Sequence, residues 1–421
     1  MTLREWARWI RHVPPSLGWF LAVLLLKPVV DAFWFLKDTG LLAPGQFLGV
    51  ATTMLALIFL LLRPSLRDLV VHEQAFLGFG LLLVANTVIA FMMPPSVGGL
   101  GEMVRILQPV LIYFYLRRYV TNPTDFWGVV VTFLVSSIVP YSLIAYETVF
   151  GPIQVVELAA SRGGGNRLTG PYADLFNYAG YIVGDFLAFG ALYLRKLRLG
   201  GRVSWLSVFL VVSITLFGVI NLRHQATWGV FGVVMCLTML SLARTQAATV
   251  VGSLVLLAVI AAGPIWDNVV SPLYAKEINA ASGQAETYRI LNGRVVRWER
   301  YFTEWGEMSA VQLALGVGSS SSSVKRVMMS GGMHSDYVRL LFSTGIVGLA
   351  LYLAFYAGLL IRARFLVPEY RFLAYAAAAS MLLYSISSNP LGSSGALGFL
   401  LLLALTPCTA SRDRTQDWGR E

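Results

Sequence analysis

The sequence predicts an all-α polytopic membrane protein of about twelve transmembrane helices, with one long extracytoplasmic loop that contains an amphipathic helix. Three observations carry this expectation. Hydrophobic residues make up 57% of the 421 positions and charged residues only 13%, more apolar than the core of a water-soluble domain requires. Apolar runs of about 17–25 residues, long enough to cross a hydrocarbon layer, recur along the chain. They are interrupted by one long polar stretch, residues 265–335.

In order, the runs are read at 17–36, 46–62, 75–93, 102–116, 126–146, 173–194, 203–220, 228–243, 248–265, 337–361, 371–387 and 392–407. Short loops that hold Lys and Arg stay on the cytoplasmic side because the charges resist translocation. With the N-terminus inside, eighteen of the 32 Lys and Arg fall on inner segments, and the short outer loops keep four: Lys37, Arg162, Arg167 and Arg223. That asymmetry predicts both termini inside and the 265–335 loop outside, as a cap on a single membrane domain.

The net charge of +10 is then mostly topogenic. No basic stretch is interleaved with aromatics on a soluble domain, so nucleic acid is not an expected partner. Cys236 and Cys408 lie within or at the end of apolar runs and read as packing residues, with neither a disulfide framework nor a thiolate metal site. The segment LREWARWIRHV (3–13) puts Arg4, Arg8 and Arg11 on one helical face and Leu3, Trp6, Ile10 and Val13 on another. It reads as a helix on the inner membrane surface and lacks the continuous apolar core of a signal peptide.

Within the cap, YRILNGRVVRWERYFTEW (288–305) has helical spacing, with Leu291, Val295, Trp298, Phe302 and Trp305 on one apolar face. Arg289, Arg297 and Arg300 fall on the other side, flanked by Arg294. Guanidinium groups clamp phosphate oxygens by paired hydrogen bonds, so this face suits either membrane headgroups or an anionic lipid-linked ligand. Three more outer pieces bring Arg167, Arg223 and Arg105 toward the same membrane face, and Arg339 begins a span. An arginine at or in a membrane is costly unless paired or functional. Of the four histidines only His224 and His334 are placed outside. A neutral imidazole at His334, on the rim of the membrane domain, can take a proton from an attacking hydroxyl; capping the following helix is its structural alternative. Asp336 can orient that histidine, act as the base itself, or cap the helix. Metal ligation is not expected, since no second ligand stands at a spacing such as i+4.

The pieces RLTGPYADLFNYAGY (167–181), NLRHQATWG (221–229), the arginine-rich cap helix, LGVG (315–318) and HSDYVRLLFSTGIVGL (334–349) occur in this order around a long outer loop. Together they resemble the O-antigen ligase and O-antigen polymerase superfamily over most of residues 100–405. The chain differs from that family's common pattern at Ser335 and Thr344. The resemblance implies a GT-C-type glycosyltransferase of the bacterial inner membrane, using no metal and no cofactor. Its donor would be a glycan on undecaprenyl diphosphate, and its acceptor a hydroxyl on the periplasmic side, carried by another glycan or by lipid A-core. By the same resemblance His334 matches the catalytic histidine, and Arg223 and an arginine of 289–300 match diphosphate-binding positions. The HSDYVRLL form looks more like the exopolysaccharide-type polymerases, with a ligase as the alternative. A transporter of lipid-linked glycans stays open as a different class; it would need polar residues at mid-membrane, of which Lys27 and Asp31, an i,i+4 pair, are the main examples. That pair is expected to form a salt bridge within the bundle.

Overall fold

The computed structural model describes residues 1–33, 44–62, 69–91, 97–153, 156–157, 166–167, 172, 175–242, 251–252, 255, 271, 274–275, 278–279, 282–283, 294–318, 335–392 and 396–409. Its longer helices are α1 (Leu3–Ile10), α2 (Pro15–Ala32), α3 (Pro44–Leu62), α4 (Val71–Phe91), α5 (Val97–Tyr119), α6 (Pro123–Ser136), α7 (Ile138–Phe150), α8 (Leu175–Arg198), α9 (Trp205–Asn221), α10 (Gln225–Ser241), α11 (Arg294–Gly306), α12 (Ala310–Leu315), α13 (Asp336–Ala363), α14 (Pro368–Ser387) and α15 (Ala396–Leu405). A two-residue antiparallel ribbon, β1 (Val156–Glu157) and β2 (Asn166–Arg167), sets Val156 opposite Arg167.

Pro15–Ala32, Val71–Ala90, Pro123–Phe150 and Asp336–Ala363 are long and apolar enough to cross a membrane, and Phe47–Leu62, Trp205–Asn221, Gln225–Ser241 and Leu397–Cys408 are shorter apolar helices. The chain is thus a largely helical, membrane-embedded protein. Exposed apolar side chains such as Phe47, Leu61, Leu81, Leu210, Ile214, Leu240 and Leu353 are ordinary where the solvent is lipid. Of the expected run 248–265, only residues 251, 252 and 255 lie among those described.

Close helix approach in lipid depends on small residues, since burial of apolar surface gives little drive there. On α8, a Cβ at Gly180 would stand 2.8 Å from Leu397 Cβ, and one at Gly184 would stand 2.8 Å from the Phe133 ring. The run Ala376–Ala377–Ala378 is fully buried on α14, which packs against α8, α10, α13 and α15 at the centre of the bundle. Along α4 and α13, Phe76 stacks on Phe355 with centroids 4.0 Å apart, and Phe79 meets Tyr352.

One end of the bundle gathers basic residues and ties them across helices. Arg117 pairs with Glu73, Arg198 Nε donates to Glu369 Oε1 at 2.7 Å, and the Arg195 guanidinium lies 4.8 Å over the Trp127 ring. At the same end α1, closed by a Thr2/Glu5 capping box, docks on α6. There Trp9 Nε1 donates to Asp125 Oδ1 at 3.0 Å and Trp6 Nε1 to Thr132 Oγ1 at 2.9 Å. The N-terminal helix is therefore clasped to the protein through the indoles while Arg4, Arg8 and Arg11 stay exposed.

Three features depart from the sequence expectations. The run read as one span at 337–361 is two helices, because Gly345 (φ 66°, ψ −169°) leaves the helical conformation inside α13. Its first half starts against the end of α14, where Ser335 Oγ donates to Ser385 O at 3.0 Å and Asp336 N to Ser388 O at 3.2 Å. The first half therefore folds back toward the second, and Thr344 swings so close that a Cβ at Gly348 would lie 2.1 Å from its Oγ1. The run at 126–146 is likewise interrupted, between α6 and α7 at Ser137. Finally, Cys408 is buried as expected but Cys236 is exposed, and both are free thiols.

Candidate functional site

The end opposite the basic pairs is organised on the last turns of α14. Residues that the sequence separates widely meet there. Ser335 Oγ donates to Ser385 O at 3.0 Å, Asp336 N to Ser388 O at 3.2 Å, and Tyr337 OH to Leu382 O at 2.7 Å. On another side of the same helix end, Tyr384 OH donates to Thr227 Oγ1 at 3.1 Å, and Thr227 Oγ1 is 2.7 Å from His224 Nδ1. Phe176, from the first turn of α8, meets the Tyr384 ring edge-on at 4.7 Å. Phe176, the His224–Thr227 turn and the Ser335–Tyr337 start of α13 are thus brought onto one helix end.

Asp336 is fully buried, and its two oxygens have separate partners. Oδ1 accepts from the equally buried Arg339, and Oδ2 accepts from the backbone N–H of Leu391 at 2.9 Å. It is the first helical residue rather than the N-cap, which is Ser335. Its carboxylate fastens the half-helix to the turn Pro390–Gly392, against which α5, the helix of exposed Arg105, also packs.

Arg223 sits in the tight turn between α9 and α10 with φ 46°, a left-handed conformation that a residue with a Cβ seldom adopts. The turn is held by Arg223 N donating to Ile220 O at 3.0 Å and by Trp228 Nε1 donating to Val219 O at 2.8 Å. Backbone strain kept by such bracing is a feature of functional positions.

The cap helix α11 lies on the folded-back half of α13, with Tyr301 buried against Val338 and Phe342 and with Trp298, Trp305 and Val317 around them. The buried face is Trp298–Tyr301–Trp305. Phe302, expected on it, is exposed instead. Arg297, about 40° around the helix from Tyr301, is half-buried at the seam. Arg300 points outward and bonds Glu304 Oε1 at 3.1 Å.

The segment LGVG that follows α12 is set into the break of α13. Val317 N donates to Phe342 O at 2.8 Å and Gly318 N to Ser343 O at 3.2 Å, while Asn86 Nδ2 of α4 donates to Leu315 O and Ser343 O. These donors take up carbonyls at the break. A Cβ at Gly345 would fall 2.3 Å from Ala314 O, one at Gly316 2.5 Å from the Ser343 carbonyl carbon, and one at Gly318 2.4 Å from Asn86 O. All three glycines also have positive φ. Only glycine meets both conditions at once.

The described residues therefore place Arg223, His224, Asp336 and Arg339 at one end of the bundle, and lay Arg297 and Arg300 on the same end through α11. Arg294 and Arg167 are placed by backbone alone, in α11 and β2. His334 and Arg289 lie outside the described residues. The sequence reading passed over Asn86, Thr227 and Tyr384, whose polar groups do the joining. A polar residue near the end of an apolar run was the available signal. Among the described residues, no three His, Cys, Asp or Glu side chains form a group able to hold a metal ion. No protein-family model and no curated protein matches this chain.

Proposed function

We propose that this chain is an inner-membrane glycosyltransferase of about twelve spans and GT-C type, with both termini inside. In this reading it transfers a glycan from an undecaprenyl-diphosphate carrier to an acceptor sugar hydroxyl at the periplasmic end. The observation that supports it is the gathering of the 221–229 turn, the first turn of α8 and the start of α13 on the last turns of α14. The same pieces carry the resemblance to the O-antigen ligase and polymerase superfamily.

The chemistry follows from those groups. The acceptor oxygen attacks the anomeric carbon, the bond to the diphosphate breaks, and the hydroxyl proton passes to the imidazole of His334. A single displacement inverts the anomeric configuration. Arg223, with help from Arg339 and the arginines of α11, stabilises negative charge on the departing diphosphate through fork-shaped donors. Asp336, already engaged by Arg339 and Leu391, holds the half-helix that begins two residues after His334. The HSDYVRLL form supports a polymerase of O-antigen or exopolysaccharide.

The test is transfer by purified protein in lipid vesicles supplied with a lipid-linked oligosaccharide. His334→Ala is expected to abolish transfer while leaving membrane insertion and donor binding intact, and EDTA is expected to leave the wild-type rate unchanged. Near wild-type transfer by His334→Ala, or arrest by EDTA that added metal reverses, overturns the mechanism. Product that stays on the lipid carrier identifies a polymerase; product joined to lipid A-core identifies a ligase.

A further inference from the structure

Deep in the bundle, away from the α14 end, lies a carboxylate with no cation paired to it among the described residues. Asp185 is in the middle of α8 and is buried. Ser137 Oγ bonds its Oδ1, and the Tyr141 hydroxyl lies near it, with Thr215 of α9 near Tyr141 in turn. Oδ2 has no hydrogen-bond partner. The nearby buried cation, Lys27, is already committed, since its Nζ donates to both oxygens of Asp31 at 2.6 and 2.8 Å. Tyr181, one helical turn from Asp185, donates to Asp31 Oδ2 at 3.4 Å and separates the two carboxylates. The ionisable groups facing Asp185 are thus Tyr141 of α7, Tyr181 of its own helix and, behind Tyr181, the closed Lys27–Asp31 pair of α2. The neighbours from α6 and α9, Ser137 and Thr215, carry no charge.

An ionised, unpaired carboxylate is among the costliest groups to place inside a membrane, and a carboxylate oxygen with no partner adds to that cost. The surroundings suit a small cation. Ser137 stands between α6 and α7, where the helix is interrupted, and Pro140 has no N–H to offer the Ser136 carbonyl four residues before it. Interrupted membrane helices with a nearby carboxylate are chemically suited to holding protons or alkali ions, because carbonyl and carboxylate oxygens can replace water around them. The hydrogen accounting agrees with a proton as one occupant. Ser137 Oγ is 3.0 Å from Phe133 O as well as bonded to Asp185. When its single hydrogen goes to Phe133 O, the contact with Asp185 needs a hydrogen supplied by the acid.

We propose that Asp185, with the hydroxyls of Ser137 and Tyr141 at the α6–α7 interruption, binds one exchangeable monovalent cation, a proton or an alkali ion. This site is separate from the α14 end and does not depend on glycan transfer.

Infrared spectroscopy and melting of the purified full chain test it. A proton at Asp185 gives the carbonyl band of a protonated carboxylic acid; the band is missing in Asp185→Asn, fades as pH rises, and does not respond to the choice of salt. Ser137→Ala, which removes a hydroxyl bonded to the acid, shifts the same band, so the assignment does not hang on the folding of Asp185→Asn. An alkali ion instead leaves no such band, and sodium or potassium raises the melting temperature above that in choline at equal ionic strength. That rise is lost in Ser137→Ala or Asp185→Asn. Absence of both the band and any ion-specific shift means an ionised carboxylate standing alone, and overturns the proposal.

Discussion

The two ends of the bundle are fastened by different means. At the basic end, charge joins helices that are distant in sequence: Arg117 and Glu73 are 44 residues apart, and Arg198 and Glu369 are 171 apart. At the α14 end, Arg339 pairs with Asp336 three residues away and Arg300 with Glu304 four away. These local pairs hold a helix to itself. Distant segments at that end are joined instead by hydroxyls, an asparagine amide, backbone N–H groups and the Asp336 carboxylate accepting from Leu391 N–H, and three glycines at the break of α13 leave no room for a Cβ. Long-range ion pairs resist separation of helices and tolerate small shifts. A glycine lock tolerates almost none, which suits an end where atoms must meet in a set geometry.

This contrast can be broken most heavily at the basic end. Arg198→Ala leaves Glu369 buried without its cation, and losing one partner of a buried pair costs about 3–5 kcal/mol. The melting temperature should drop sharply while transfer per folded molecule is preserved, and Arg198→Met with Glu369→Gln should restore most of the loss. A fall in specific activity at permissive temperature would show that the ends are not independent.

Gly345→Ala acts at the other end. A Cβ at φ 66°, ψ −169°, a conformation open essentially to glycine alone, costs on the order of 1–3 kcal/mol, to which the contact with Ala314 O adds. Transfer should be lost and the cap should be cleaved faster in limited proteolysis, with Asn86→Asp giving a milder form of both. Equal damage to activity from the Arg198 and Gly345 variants would remove the distinction drawn here.

Arg223→Lys keeps the charge and loses the planar fork. Unchanged melting with a loss of roughly tenfold or more in transfer, about 1.4 kcal/mol in the barrier, is expected. Full activity would take Arg223 out of the site. The smallest effect belongs to Arg300→Ala, since an exposed i,i+4 pair is worth only about 0.3–0.5 kcal/mol. Melting should hardly move, and a clear activity loss would single out Arg300 among the arginines of α11 as a substrate contact.

Much of this organisation could be read from the sequence, and its failures have specific causes. Hydropathy located α2, α4 and α13 because a span must be apolar along its length whatever its neighbours do. It did not reveal the interruptions at Ser137 and Gly345, since apolar residues flank both and a backbone angle leaves no trace in hydropathy. The pair of glycines at 345 and 348 was the one available sign. Helical spacing found α11 but chose Phe302 over Tyr301 for its buried face; they are about 100° apart, and the partner surface on α13 decided between them. Lys27–Asp31 was legible because i,i+4 spacing allows a closed pair, and it is closed. Asp185 escaped notice although the same rule, that charge inside a membrane requires an explanation, applied to it with more force. At the α14 end, the arginine and histidine of the 221–229 turn and the Asp336–Arg339 start of α13 stood out in the sequence, but that α14 is what joins these segments did not, because Tyr384, Ser385 and Ser388 resemble ordinary residues of an apolar helix.

The Asn86 clasp also sets a clock for the chain's assembly. Ser343, one of its acceptors, is 257 residues further along. At synthesis rates of about 5–20 residues per second, α4 waits roughly 13 to 50 seconds for the helix that covers it. Through that interval Phe76 has Tyr113 and Phe114 of α5 as neighbours but lacks Phe355, Phe79 lacks Tyr352, and the α14 end has no fixed form. The geometry of this end is therefore among the last properties that the protein acquires.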